Sequence, residues 1–347
     1  MLPEWTEQWG VMLTWPHADT DWTGWLEDVE RTYGMIAREI TRRENLLVVA
    51  QDESHARHIR RLIENAGGQR ERVHFRFAPS NDTWARDHGP ITVERSGGDG
   101  LELLDFIFNG WGNKWAAGED DAINRRLAAS GAFIAPMHHV DLVMEGGALE
   151  TDGLGTLMTT RHCLLSPERN PQLDEAGIEN ALQEWLGADR VLWLDHGHLE
   201  GDDTDSHIDT LARFADPETI VYQACDDSSD SHFGDLAAMR EELETFTTPA
   251  GNPYRLLALP WPRAQHDPVT GQRLPATYAN FTVINGAVLA PSYGDPADEK
   301  ARALLTAAFP GRDIAMIDCR PIIRGFGSLH CITMQLPVGT VALPEGE

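Results

Sequence analysis

One feature of the 347-residue chain constrains its fold more than any other: a supersecondary pattern that returns about every 60 residues. Helix-like stretches start near Glu53, Glu119, Gln172, Asp235 and Pro296, at intervals of 66, 53, 63 and 61 residues. After each come a strand-like stretch and a polar or reactive residue: Asp87, Glu145, His207, Asn280 and Cys331, spaced 58, 62, 73 and 51 residues apart. Such a period marks a repeated structural unit that buries its apolar face against its neighbours. The unit is clearest between Leu46 and Phe77. Leu46–Ala50 reads as a short buried strand, and Asp52 caps a helix with Ile59, Leu62 and Ile63 on one face. Gly67 and Gly68 end that helix, and Val73–Phe77 alternates like a half-buried strand. Five such units fill the chain. The expectation is an α/β fold, a single domain over residues 1–347 built as a closed ring of five ββαβ-like modules, whose corresponding loops meet at one site. The amphipathic stretch Trp25–Arg43 is expected to be an extra helix closing the ring, and Pro260–Pro275 an excursion loop.

Charge narrows the range of partners. The chain carries 55 acidic and 28 basic residues, a net charge of -27, and only Lys114 and Lys300 are lysines. Such a chain repels nucleic acid and anionic membranes. Its acidity reads first as a solvated surface suited to salty cytoplasm, and attraction of cationic substrates is the alternative. The N-terminal residues show neither a basic region nor an apolar core of the signal-peptide kind, and no apolar run approaches the roughly 18 residues of a membrane helix. Cys163, Cys225, Cys319 and Cys331 are too widely spaced for a disulfide framework. A soluble cytoplasmic protein is expected.

The residues that follow the strands carry candidate chemistry. His207 and Asp209 stand two apart in Ser206–Thr210, so in a strand they would share one face. Asp87 lies in Thr83–Pro90, Glu145 precedes Gly146 and Gly147, and Cys331 follows the glycine-rich run Gly325-Phe326-Gly327-Ser328. Each alone is ordinary: a core cysteine, an Asp87–Arg86 ion pair and a turn at Glu145 would look the same. The run His196, His198, Asp202, Asp203, Asp205 and His207 offers metal donors, but it matches no zinc-site spacing. Neither a metal nor a cofactor is expected.

Together these stretches resemble the family of agmatine deiminases and Porphyromonas-type peptidylarginine deiminases. The matching segments run end to end: Trp84-Ala85-Arg86-Asp87 with Gly89-Pro90, Phe108–Lys114, Glu145-Gly146-Gly147, and Thr151-Asp152-Gly153. They continue with Cys163-Leu164-Leu165, Arg169-Asn170-Pro171, His196–Phe214, Tyr278–Phe281 and His330-Cys331-Ile332-Thr333. The resemblance implies a five-bladed α/β propeller, the pentein fold, with fivefold pseudosymmetry. It further implies Cys331 as nucleophile, His207 as general acid and base, Glu145 as the residue that orients His207, and Asp87 with Asp209 as guanidinium clamps. Trp84 would wall the pocket, and Asp203 would meet the distal amine of the substrate.

The implied reaction is hydrolysis of agmatine to N-carbamoylputrescine and ammonia, a step toward putrescine, by a homodimer or larger assembly. Deimination of peptidyl-arginine or another guanidino compound is the alternative, with amidino transfer and a catalytically silent binding propeller as more distant ones. The chemistry agrees with the roles. A guanidinium is a planar fork of donors that paired carboxylates match in geometry and charge. Thiolate attack on its carbon and loss of ammonia leave a thiouronium, which activated water hydrolyses. His330, next to Cys331, should face the other way if both lie in a strand. Phe326 replaces a glycine usual in agmatine deiminases; a ring facing the pocket would shorten it or favour an apolar chain.

Overall fold

A computed structural model describes residues 1–94 and 100–342. The chain divides into two compact units. The first holds Met1–Gly146, Val283–Asn285 and the residues from Cys331 onward; the second holds Gly147–Thr282 and Gly286–His330.

The first unit is built on two sheets. In one, Thr333–Pro337 pairs antiparallel with Gln8–Thr14, which pairs parallel with Asn45–Ala50, which pairs parallel with Val73–Phe77. The parallel steps need crossovers, and the helices Leu26–Thr41 and Glu53–Ala66 supply them. Val29, Tyr33, Ile36, Ala37 and Ile40 fall on one stripe of the first helix and are buried. The second starts where the Asp52 side chain accepts from His55 N at 2.8 Å, and ends at Gly67, whose φ of 87° only glycine adopts readily. The other sheet joins Ile91–Glu94 antiparallel to Leu101–Ile107, and the latter parallel to Met137–Val143. Trp9, Met12, Leu47, Val49, Ala85, Ile123, Leu127, Met334 and Leu336 share one buried core.

The second unit repeats the same arrangement. Glu150–Thr151 pairs antiparallel with Thr156–Thr160, which runs parallel to Arg190–Leu194 across the helix Glu175–Leu186. Ala212–Asp216, Thr219–Gln223 and Arg255–Leu259 do likewise around the helix Phe233–Thr245. Ala287–Ser292 runs parallel to Asp313–Asp318 across Ala297–Ala308. Arg213 ties two of these sheets together. Its guanidinium donates to Glu150 Oε2 at 2.6 Å and Phe281 O at 2.7 Å, and sits 4.8 Å above the Phe281 ring.

The repeated helix-then-strand units expected from the sequence are present, with helix starts within a few residues of the expected positions. Pro260–Pro275 carries the short hairpin Gln265–His266 with Arg273–Leu274. One assignment changes. Helix Leu26–Thr41 is not an addition to the repeat but the crossover between Gln8–Thr14 and Asn45–Ala50; the added elements are helix Glu53–Ala66 and strand Val73–Phe77. Among the described residues no helix is long and apolar enough to cross a membrane, and no disulfide links the four cysteines.

Candidate active site

In the first unit, Asp87 lies on the single turn Ala85–His88 that follows the loop from Asn81. Arg86 fixes this turn against the segment that carries Cys331. Its backbone N–H donates to Cys331 O at 3.0 Å, and its Nη1 donates to Gln335 Oε1 at 2.6 Å. Arg86 Nη2 lies 3.6 Å from Glu4. The guanidinium is thus held by Glu4 and Gln335. Asp87 Oδ2 accepts the indole N–H of Trp111 at 2.9 Å.

Trp111 reaches Asp87 from an unusual turn. Gly110, Trp111, Gly112 and Asn113 all have positive φ, between 56° and 85°. Such backbone is costly for a bulky residue and concentrates at functional sites. Edge contacts hold the ring from two sides, with centroids 5.0 Å to Phe108 and 6.4 Å to Trp84. Trp84 is buried and donates its own indole N–H to Asp82.

Glu145 is fully buried. The residue after it has to be glycine, because a Cβ on Gly146 would lie 2.2 Å from Arg86 O. Cys331, 4% exposed, sits in a turn two residues ahead of the strand Thr333–Pro337.

In the second unit, His207 and Asp209 are both 0% exposed. Their segment is not a strand: His207 caps the 3-10 turn Ile208–Thr210, so the expected two-residue alternation does not apply. The chain enters this turn through Asp205 and Ser206, both at left-handed φ. Four contacts hold that entry. Arg169 donates to Asp205 Oδ2 at 2.7 Å and to Thr204 O at 2.9 Å, Asp202 Oδ2 accepts from Ser206 N, and Thr160 Oγ1 donates to Ser206 O. Cys163 Sγ lies within 4.8 Å of a His207 ring nitrogen. Asp203 is half-buried in the same loop.

His330 is adjacent to Cys331 in sequence, but it precedes the strand rather than lying in it. His330 Nδ1 is 2.7 Å from Asp209 Oδ2, and Asn280 braces the pair by accepting from His330 N and donating to Asp209 O. Burial alone would raise the Asp209 carboxyl. The hydrogen bond and charge of His330, with His207 and Arg213, outweigh burial and hold it below its ordinary value.

The histidine- and aspartate-rich run divides among separate partners. His196 is exposed and hydrogen-bonded to Glu242 Oε1 at 2.6 Å, Asp202 holds the turn before His207, and Asp205 pairs with Arg169. Three participants were not assigned a role from sequence: Trp111, Arg169 and His330. Their signals were a tryptophan between glycines, an Arg-Asn-Pro stretch, and a histidine beside the candidate cysteine.

Known proteins resemble this chain over its length. The family model for Porphyromonas-type peptidyl-arginine deiminases matches residues 1–337. An agmatine deiminase of Stutzerimonas stutzeri is 32% identical over 362 aligned positions, covering 97% of this chain and 95% of that one. A crystal structure from Porphyromonas gingivalis, provisionally named an arginine deiminase, superposes with a TM-score of 0.91 at 48% identity, covering 98% and 99% of the two chains. A cysteine-to-serine variant of C. jejuni agmatine deiminase with substrate bound gives 0.88 at 37% identity, covering 96% and 95%.

Proposed function

Because the chain belongs to the Porphyromonas-type peptidyl-arginine deiminase family, we propose that it is an agmatine deiminase, a hydrolase that converts agmatine to N-carbamoylputrescine and ammonia. The observation that carries this reading is the full-length match to agmatine deiminases, at 32% identity over 97% of the chain. The same likeness assigns it the pentein fold of those enzymes.

In the reaction, Asp87 and Asp209 take the two edges of the guanidinium. Trp111 and His330 hold those carboxylates in place, and Asp209, kept below its ordinary pKa, stays ionised for the cation. The Cys331 thiolate attacks the central carbon. His207, oriented by Glu145, gives its proton to the departing ammonia, which leaves a thiouronium on Cys331. Neutral His207 then takes a proton from water, the hydroxide adds to the same carbon, and the neutral ureido product leaves as the thiolate returns and the adduct's hydroxyl proton passes to solvent. Trp84 walls the site and Asp203 receives the distal ammonium. A small cationic substrate fits an acidic chain, and a cytoplasmic homodimer or larger assembly completes the proposal.

Peptidyl-arginine deimination is a second reading, favoured by the 40% identity to a crystal structure provisionally named a peptidyl-arginine deiminase. Ammonia release from agmatine, arginine, arginyl peptides and shorter guanidino acids, assayed side by side, separates the two. Agmatine should give the highest kcat/KM, and EDTA should leave the rate unchanged. Preference for an arginyl peptide would replace the first reading with the second.

A further inference from the structure

Two indole N–H groups converge on one carboxylate five residues ahead of Asp87. Trp22 Nε1 donates to Asp82 Oδ1 at 2.7 Å, and Trp84 Nε1 donates to Asp82 Oδ2 at 2.9 Å. The two rings touch, with centroids 5.7 Å apart. Behind this carboxylate the backbone is pinned. Asn81 N and Asp82 N both donate to Asp120, and Asn81 Oδ1 accepts from Glu119 N at 2.7 Å. Asp82 therefore has a fixed place from which to orient both rings.

The contacts continue toward the chemistry. The Trp84 ring meets the Trp111 ring edge-on, at 76° between planes, and Trp111 Nε1 donates to Asp87 Oδ2. Trp111 stands at φ 56°, a conformation its own backbone disfavours, so its place depends on what packs against the ring. Asp82, Trp84, Trp111 and Asp87 form an unbroken series within the first unit, with a carboxylate at either end and two indoles between.

We propose that Asp82 is a positioning residue: by holding Trp84, and through it Trp111, it fixes the Asp87 carboxylate that receives the guanidinium. The inference rests on the deiminase reading for the role of Asp87, and on geometry alone for the series. A local scaffold would serve only its own loop. A positioning role instead predicts that losing the Asp82 acceptors is felt at Trp111, to which Asp82 makes no hydrogen bond among the contacts described.

The series also has a titration. Asp82 faces the indoles of Trp22 and Trp84, the backbone N–H of Thr83, and the acids Asp21 and Asp120. Burial, with a contribution from Asp21, raises it to about 6, against the opposing pull of the hydrogen bonds. Asp120 is raised to about 8, by burial first and by Asp82 among its neighbours. A protonated carboxyl is a weaker acceptor for one of its two indoles, so the grip on Trp84 loosens as pH falls through this range.

The test uses the full chain with Asp82→Asn, which keeps one acceptor oxygen, and Asp82→Leu, which keeps neither. Indole N–H resonances are assigned with Trp84→Phe and Trp111→Phe, and agmatine kinetics are measured across pH. The expected result is a KM raised about tenfold or more in Asp82→Leu and less in Asp82→Asn, with kcat changed less than threefold. The Trp111 resonance should shift in both variants, and the wild-type rise in KM below about pH 6 should flatten in Asp82→Asn. A Trp111 resonance that stays in place, or a KM within twofold of wild type, overturns the proposal. Should Asp82→Leu not fold, Asp82→Asn decides by the same two readings. If the wild type deiminates no guanidino compound, the deiminase reading fails, and the Trp111 resonance still decides whether Asp82 governs that ring.

Discussion

His330 Nδ1 lies 2.7 Å from Asp209 Oδ2, across 121 residues of chain, with both side chains buried. This contact makes Asp209 an anion at the price of dependence on His330. Its carboxyl lies below the ordinary value, so its contribution to stability is complete above about pH 4 and is lost as pH falls toward the folded-state value. In His330→Leu the lowering partner is gone and burial acts against the charge. The expected outcome is a loss of about 3–5 kcal/mol at pH 7, with acid unfolding beginning at higher pH than in wild type. Urea unfolding at pH 7 and pH 5 measures both; equal midpoints in variant and wild type would refute the coupling.

Cys331→Ser and Cys331→Ala should lose turnover by about a thousandfold or more while retaining agmatine binding, since the carboxylates proposed to clamp the guanidinium are untouched. Mass spectrometry of wild type quenched during turnover should find the adduct on the peptide containing Cys331. An adduct on Cys163, Cys225 or Cys319 would move the nucleophile elsewhere. Cys163 is the sharpest control, because its sulfur lies near His207.

Two buried acids give the fold an unusual pH response. Asp82 and Asp120 are raised to about 6 and about 8, both chiefly by burial. Between about pH 4 and 8 these groups bind more protons folded than unfolded, so their contribution to stability falls as pH rises through that window. Asp267 acts at the other end. Hydrogen bonds from Thr270 and Val269 and the Arg324 ion pair, set against burial, hold it at about 2, and its contribution is lost below about pH 4. Urea midpoints should be higher at pH 5 than at pH 8, and Asp82→Asn should shrink the difference. A midpoint that rises steadily to pH 8 would contradict the assignment.

Phe326 occupies φ 72°, the left-handed region in which a glycine costs nothing, and it is half-buried. Phe326→Gly should relieve about 1–2 kcal/mol of backbone strain, offset by lost burial of the ring and the greater freedom of the unfolded chain. If the ring bears on substrate choice, the variant should raise kcat/KM for agmatine relative to butylguanidine, which has the same chain without the amine. An unchanged ratio in a folded variant would make Phe326 a packing residue only.

The helices were legible because their signals are local. Asp52, the apolar face of Glu53–Ala66 and Gly67 lie within sixteen residues and act through short-range hydrogen bonds and packing, although this helix is an addition to the repeat. The candidate residues Asp87, Glu145, His207 and Cys331 stood out because each follows a strand at the repeat's spacing. Strand Gln8–Thr14 was missed because all seven of its residues are buried, so no alternation marks it, and helix Leu26–Thr41 was misassigned with it. The geometry of His207 and Asp209 was hidden for another reason. Asp205 and Ser206 adopt left-handed backbone that neither requires on its own; Arg169, Asp202 and Thr160 hold them there. The His330–Asp209 contact has no local signature at all.

The antiparallel pairing of Gln8–Thr14 with Thr333–Pro337 bears on how the molecule is made. On the ribosome, Gln8–Thr14 can pair with Asn45–Ala50 early, but its other edge stays bare until Thr333–Pro337 emerges. Closure across so long a span of chain is slow, and a bare edge invites pairing with other nascent chains. Cys331 stands two residues ahead of the closing strand. The Cys331 sulfur therefore emerges only a few residues before the strand that completes the sheet.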